Sequence, residues 1–493
     1  MGQRPRETGK TMLFEKTNEL DKYDVVVAGG GPAGVGAGLA CARAGLKTIL
    51  VEGNGCLGGT LTAGALPFVL GSYTGSIPFP EMVRLGLTYK ELPRPYRAVK
   101  GLMAEFQSRV KAQGGGLGPA VIPHAQKYPG LDRLSCHDEF TFDIEIGKQV
   151  FDAMALESGL DLLFYTQALD VKREGNEIKG VFVANKNGLS YIPCVALIDC
   201  TGDADLVYRA GYETIKGDPV SGEMSAVSLI AHVENVDPEP LNRYLQDGGN
   251  PWFTEIMAQA KADLPERRQD IPDNLVFFPM PQEGVFMVNG GTSNSPVDGT
   301  DARALTALTL WGRRRAKFLV EELFHKYIPG GEKARLRLSA YYPGVRETRK
   351  IVGEYNLTEA DVLSGKRFTD SIALAGRHFD LDRGGTWDNQ PFGAKRLGGG
   401  VVTVPYRTMI PAGSSNILAA GRCIAAEGQA LGPIRISSTC MALGQAAGTA
   451  AALKIKRNVD FKSIDIARLR HELLQRDAVI DALSDNVEAE EAQ

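Results

Sequence analysis

Apolar residues along the chain fall into two patterns, and their order predicts the fold. Short unbroken runs at 25–28, 48–51, 195–199 and 416–420 have the length of strands buried on both faces of a parallel sheet. Alternating runs at 168–172, 178–184 and 189–192 are separated by the turns Glu174-Gly175-Asn176 and Asn185-Lys186-Asn187-Gly188 and predict a β-meander feeding the run at 195–199. Residues 32–44 form a helix lined with the small residues Ala33, Gly36, Ala37, Ala40 and Cys41, with Gly45 suited to its C-terminal cap. The spacing of Phe140, Phe142, Ile144, Ile146, Val150, Phe151, Met154 and Leu156 predicts one helix over 140–159, then a strand at 161–165. Residues 303–327 read as a long helix with Arg313, Arg314 and Arg315 as a solvated stripe, and 224–233, 284–289 and 336–342 as strands. A small-residue helix carries Gly444 and Gly448, and Ile466, Leu469, Leu473 and Leu474 mark an amphipathic one. Residues 66–139 hold many Pro, Gly and Tyr with little periodicity and predict a long loop region.

Over residues 24–52 a strand, a glycine turn, a helix, a second strand and an acid follow in register. Gly29, Gly31 and Gly34 give the G-x-G-x-x-G spacing: Gly29 for the tight turn, Gly31 for close approach of backbone to a diphosphate, Gly34 for helix-on-sheet contact. The helix opened by Pro32 and Ala33 aims its positive end at the phosphates. Glu52 stands where an acid accepts ribose hydroxyls. A second glycine-rich loop, with Gly53, Gly58, Gly59 and Thr60, lies along the rest of an extended dinucleotide. This motif does not separate NAD from FAD. No second unit of the kind occurs, so a substrate has to meet the cofactor directly.

Composition narrows the partners. A chain of 493 residues exceeds the usual span of one core, so two domains are expected. A net charge of −4, a pI near 6.0 and the acidic end Glu488-Ala489-Glu490-Glu491 argue against nucleic acid. No run reaches the roughly 18 apolar residues needed to cross a bilayer. The first 22 residues are polar and predict a flexible arm, not a secretory signal. Seven cysteines without a C-x-x-C pair predict neither a disulfide framework nor a metal site, and fit a cytoplasmic location.

Later segments bear on the cofactor. They are Thr201-Gly202-Asp203 after the run at 195–199; Gly344-Val345-Arg346-Glu347-Thr348-Arg349 with Ile351-Val352-Gly353-Glu354 and Leu357-Thr358-Glu359-Ala360-Asp361; Pro405-Tyr406-Arg407; Gly421-Arg422; and Leu431-Gly432-Pro433-Ile434-Arg435-Ile436-Ser437-Ser438-Thr439. With these the chain resembles the FAD-dependent oxidoreductases, flavoproteins of the glutathione-reductase-like type with two dinucleotide-binding domains, most strongly over 22–65, 140–210 and 340–455. The resemblance implies FAD and an α/β fold: a Rossmann-like FAD-binding domain with a β-meander at 23–211 and 400–456, a loop-rich insertion at 66–139, and an inserted α+β substrate domain at 212–399. Residues 1–22 would be an arm and 457–493 a helix with an acidic tail. It further implies that backbone near Ala168 meets the adenine, and that Thr201, Gly202, Asp203, Gly421 and Arg422 border the cofactor. The last helix would aim its N-terminus, capped by Ser437 and Ser438, at the flavin pyrimidine ring, where negative charge develops. Disulfide reductases place an acid on the ribityl chain where this chain has Arg422, so that contact falls elsewhere.

For the proton acceptor, His378 in Gly376-Arg377-His378-Phe379-Asp380-Leu381-Asp382 is favoured, since an imidazole pKa of about 6.5 suits transfer near neutrality. Asp380 or Asp382 would orient it. The family's order is Asp-x-His, inverted here, and a structural histidine is the competing reading. His137 is the next candidate. Among arginines, Arg435 and Arg346 lead, with Arg349 and Arg407, because a guanidinium pairs with a carboxylate or flanks the flavin carbonyl. For Arg346 and Arg349 an internal ion pair with Glu347 or Glu354 is the alternative. Cys56, in the loop nearest the flavin, reads as a structural thiol or a flavin-linked one. The expected activity is oxidation of a small polar metabolite by hydride transfer to the flavin, with oxygen, a quinone or a carrier protein as acceptor and possible homo-oligomers. The alternatives are a reductase or hydroxylase on external electrons and a flavin-containing RNA-modifying protein.

Overall fold

The computed structural model describes residues 17–74, 96–118, 127–134, 140–218, 221–289, 292–381 and 397–482. Strand β1 (Tyr23–Ala28), helix α1 (Pro32–Arg43) and β2 (Thr48–Val51) form the first β-α-β unit. Helices α2 (Leu102–Ala112) and α3 (Ile144–Ser158) follow, then β3 (Asp161–Leu163), β4 (Gln167–Glu174), β5 (Glu177–Asn185) and β6 (Gly188–Asp199). Far along the chain, β7 (Ile417–Ala419) and helix α4 (Ser437–Arg457) return to the same sheet. The parallel order is β3-β2-β1-β6-β7.

Strand β6 joins two sheets in one piece. Residues 188–193 pair antiparallel with β5, and residues 194–199 run parallel beside β1, so the two runs expected at 189–192 and 195–199 are one strand of 12 residues. Pro193, which has no N–H to donate, stands where pairing passes from β5 to β1.

Helices α1 and α4 touch backbone to backbone. A Cβ added at Gly36 would overlap the Met441 carbonyl, one at Gly444 the Ala33 carbonyl, and one at Gly448 the Ala37 carbonyl. The Cys41 thiol donates to the Gly448 carbonyl at 3.6 Å across the same contact.

Three expectations change. Phe140–Phe142 is a strand between Phe68–Val69 and Gly116–Leu117, and α3 begins only at Ile144. Asp143 sets that start, its carboxylate accepting from the Glu145 and Ile146 N–H groups at 2.8 and 3.0 Å. Within the expected loop region, α2 is a core helix whose Phe106 stacks on Phe151 with ring centroids 4.1 Å apart. The expected long helix is Ala302–Phe318 followed by a π-helical turn, Leu319–Phe324, and Arg315 is buried over the Trp311 ring while Arg313 and Arg314 stay exposed.

The second lobe is an antiparallel sheet in the order Phe277–Pro279, Phe286–Val288, Ala231–Glu234, Arg335–Ser339. One face packs on helices Pro238–Gln246, Thr254–Asp263 and Ala302–Phe318. The other face, through Ile230, Phe278, Met287 and Ala340, covers Ala65 and Phe68 of the first lobe. Residues 371–381, which the sequence placed in the substrate unit, pack with the first lobe: Ser371–Ala375 pairs with Val402–Pro405, and Ile372, Leu374, Phe379 and Leu381 join the core of α1 and α4. We propose that the second lobe runs from about residue 218 to about 345.

His232 stitches the lobes together, its Nε2 lying 2.9 Å from the Ala65 carbonyl oxygen. Burial pushes its pKa down to about 4. The folded chain therefore keeps this ring neutral where the unfolded chain protonates it, so its contribution is complete above pH ~6.5 and is lost as pH falls towards 4. Between those pH values the wild type should lose about 3 kcal/mol more stability than His232→Gln, read from urea midpoints at each pH. Parallel pH profiles would refute this. At the helix contact, Gly444→Ala gains helix propensity but forces the Ala33 backbone away, and should lower stability by about 1–3 kcal/mol. A raised urea midpoint would show that the two helices can separate without cost.

Candidate active site

The glycine turn can be sorted by what each residue touches. Gly29 has φ 98°, and a Cβ there would lie 2.5 Å from the Cys200 carbonyl oxygen. A Cβ at Gly34 would press on the Gly29 carbonyl oxygen more closely still. Gly31 differs: its φ of −69° and ψ of −177° suit any residue, and a Cβ would meet nothing within 4 Å. Folding does not require glycine at 31, whereas a diphosphate lying on the backbone would.

Around this open point the other predicted residues gather. Glu52, at the end of β2, accepts from the Gly30 N–H at 2.6 Å and from the Asn54 N–H and side-chain amide at 2.7 and 2.6 Å. The carboxylate is thus aimed at the turn, with acceptor capacity left for hydroxyls. The second glycine loop folds back on the first: the Gly58 N–H donates to the Gly30 carbonyl at 2.8 Å, and a Cβ at Gly59 would lie 2.8 Å from the Gly31 Cα. Thr60 opens the short 3-10 turn of that loop with Gly59, and Gly53 packs on the Gln167 side chain. The Thr166 N–H donates to the Glu52 carbonyl at 3.0 Å, which sets Ala168 on β4 beside the same edge. Tyr342, which the sequence gave no reason to select, brings its hydroxyl to Gly59; burial and the nearby Glu52 push its pKa well up. Cys56 keeps its thiol 3.8 Å from the Thr62 hydroxyl.

The ends of β6 and β7 close the groove. Buried Asp199 accepts from the Thr201 N–H and hydroxyl at 3.0 and 2.7 Å and from the Leu206 and Val207 N–H groups at 2.9 Å. Those four bonds fold residues 200–207 into a fixed turn that presents Gly202 and Asp203. Asp203 pairs with Arg422 at 2.7 Å, and Arg422 donates to the Thr348 hydroxyl at 3.1 Å. Both side chains keep about a fifth of their surface, 21% and 20%, so the pair lines the groove. Gly421, at φ 97°, lets the end of β7 approach Ala33 of α1, where a Cβ would be 3.0 Å away. Arg349 pairs with Asp205, and Glu347 pairs with Lys350 at 2.6 Å with side chains 0% and 1% exposed. For Arg349 the alternative of an ion pair with Glu347 or Glu354 is therefore replaced by Asp205. Glu354 instead accepts from the Gly413 N–H at 3.2 Å.

Helix α4 starts beside the groove without the expected side-chain caps. Ile436 is its N-cap, the Ser438 hydroxyl donates to the Leu70 carbonyl, and Ser437 occupies the first turn. The Thr439 hydroxyl is buried without a partner among the described residues. The N–H groups of this first turn have no acceptor within the helix.

Arg435 stands just before that turn. Its guanidinium lies 3.6 Å from the Asp380 carboxylate and donates to the Asp380 carbonyl, while Arg377 approaches the same carboxylate at 3.4 Å. Arg346 donates to the Ala226 carbonyl and the Ser228 hydroxyl at 2.6 and 2.7 Å, and its charge reaches both Asp380 and Arg435. Burial opposes ionisation of Asp380, yet Arg377 and Arg435 outweigh it and hold the carboxyl far below its ordinary range. Arg435 is pushed down to about 10 by burial, and Arg346 and Arg377 add to that against Asp380. His378 is 0% exposed; burial and Arg377 hold it neutral. Arg407 is remote from this group and pairs with Asp370 at 2.8 Å. Asp382 and His137 lie outside the described residues.

A parallel sheet, a glycine turn open to a diphosphate and a second helix N-terminus beside it define a dinucleotide-binding α/β protein. A sequence profile described as FAD dependent oxidoreductase matches residues 24–473, so the chain belongs to that family and FAD is its cofactor. Mitochondrial dihydrolipoyl dehydrogenase of Schizosaccharomyces pombe is 45% identical over 62 residues, 12% of either chain. Digeranylgeranylglycerophospholipid reductase 2 of Methanothermobacter thermautotrophicus is 28% identical over 228 residues, 45% of this chain and 50% of that one. The chain thus matches half or less of the length of these curated relatives. Among solved structures, L-proline dehydrogenase from P. horikoshii is similar at 12% identity and a TM-score of 0.41, covering 93% of this chain and 99% of that one. Among the described residues no helix is long and apolar enough to cross a membrane.

Gly31→Val tests the cradle. Because the apo chain has room for the side chain, its melting temperature should match that of wild-type apoprotein, while FAD affinity falls at least about tenfold, or roughly 1.4 kcal/mol. Full FAD occupancy measured by absorbance would place the diphosphate elsewhere.

Proposed function

We propose that the chain oxidises a small polar metabolite bound between the two lobes, with hydride passing to the flavin. The supporting observation is that the groove at Gly31 and the group around Arg435 meet at the start of α4, with Arg346 anchored on strand Ala226–Ser228 opposite. Gly31, Glu52, Gly59, Asp203 and Arg422 would hold the dinucleotide, with Ala168 at its adenine end. Bound FAD supplies the two-electron acceptor for the reaction. The amides of Ser437 and Ser438 favour negative charge at the start of α4. Arg435 binds and orients the substrate, and Asp380 fixes the direction of its guanidinium. His378 is fully buried, so this reading gives it no contact with the substrate.

Anaerobic mixing of the yellow holoenzyme with a panel of small hydroxy, amino and carbonyl metabolites should bleach the flavin band with at least one compound. Bleaching by NADH or NADPH alone would favour a reductase or hydroxylase driven by external electrons. Arg435→Ala should lower turnover at least about tenfold while FAD content stays near that of wild type. Equal turnover would remove Arg435 from the site.

A further inference from the structure

Resting on the flavoenzyme reading above, we infer that the metabolite carries a carboxylate, and that Arg435, with Arg346 facing it, receives that group. Arg435 is the residue on which the inference stands. Its Nε is buried and has no acceptor among the described residues. Asp380, the carboxylate paired with this guanidinium, stands 3.6 Å from its Nη2 and is shared with Arg377 at 3.4 Å. The separation from Arg435 exceeds the roughly 2.7–2.9 Å of a close charge-assisted pair, so Asp380 orients this guanidinium without saturating it. Arg435 nevertheless keeps 13% of its side chain exposed, so the residue borders an accessible space.

Among the described residues Arg435 has Asp380 as its acidic partner and shares it with Arg377, while the charges of Arg346 and Arg377 act against its own. Buried charge of that kind is costly until an anion arrives. A planar fork suits a planar carboxylate, which takes two parallel N–H donors. Arg346 is tied to Ala226 and Ser228 and Arg435 to the segment before α4, so an anion held by both would lie across the two lobes. A substrate bearing only an amine would meet like charge here.

The test uses wild-type holoenzyme at constant ionic strength, with malonate and succinate as probes and their diamides as neutral counterparts of the same shape. Bound-flavin absorbance reports binding. The acids should produce a saturable shift, and the diamides should need at least about tenfold higher concentration, a difference of about 1.4 kcal/mol. Arg435→Gln and Arg346→Gln should each raise the acid Kd at least about tenfold with FAD content unchanged. Diamides as effective as acids would overturn the inference, as would unaltered acid binding in both variants. Tighter binding of inorganic phosphate than of either acid would overturn the carboxylate assignment. If a variant loses FAD, the comparison of acids and diamides on wild type still decides. A wild-type protein that takes up no FAD would instead defeat the flavoenzyme reading itself, so the two failures are distinguishable.

Discussion

The backbone contact between α1 and α4 fixes how the starts of the two helices stand to one another. Each helix starts at the carboxyl end of a parallel-sheet region, and each presents the positive end of its dipole to the same groove. Gly36, Gly444 and Gly448 leave no side chain between them, so the register of one helix on the other is set by main-chain atoms. Main-chain contacts do not repack as side chains do. The distance between the two helix starts is therefore nearly constant, as an extended dinucleotide spanning them would require.

Charge is distributed along this frame by position. Beside the glycine turn the Glu52 carboxylate is held by amides; midway Asp203 pairs with Arg422; beside the start of α4 Arg377 and Arg435 share Asp380. Asp199 is the hidden support of the middle section, since its four accepted bonds determine how residues 200–207 turn. A carboxylate so buried resists ionisation, and burial indeed pushes it up, against the lowering effect of its own hydrogen bonds.

What the sequence revealed tracks how local the determinant is. The turn at Gly29, Gly31 and Gly34, the helix after it and Glu52 are encoded within thirty residues, and each could be read from spacing. Helix α2 escaped because Pro and Gly on either side mask a pattern at Leu102, Phe106 and Val110 that is helical. The boundary at Asp143 escaped because Phe140 and Phe142 happen to continue the apolar rhythm of α3 into a strand. Tyr342 and Arg377 could not have been found, since their importance lies in meeting Gly59 and Asp380, which are distant in sequence or oriented by tertiary packing. Ser437 and Ser438 were legible as the start of a helix but not as what they bond: the serine hydroxyl that bonds a neighbour reaches Leu70 instead of the helix end.

Lys350 and Glu347 carry a consequence for how this fold can vary. The pair lies sealed within the joint between the lobes, where Lys350 also donates to the Gly217 carbonyl at 2.8 Å. Deleting one member strands an ion in a dry interior, at a penalty of roughly 3–5 kcal/mol, whereas swapping both for well-fitting apolar side chains is often neutral. Divergence at these two sites is accordingly constrained to simultaneous exchange.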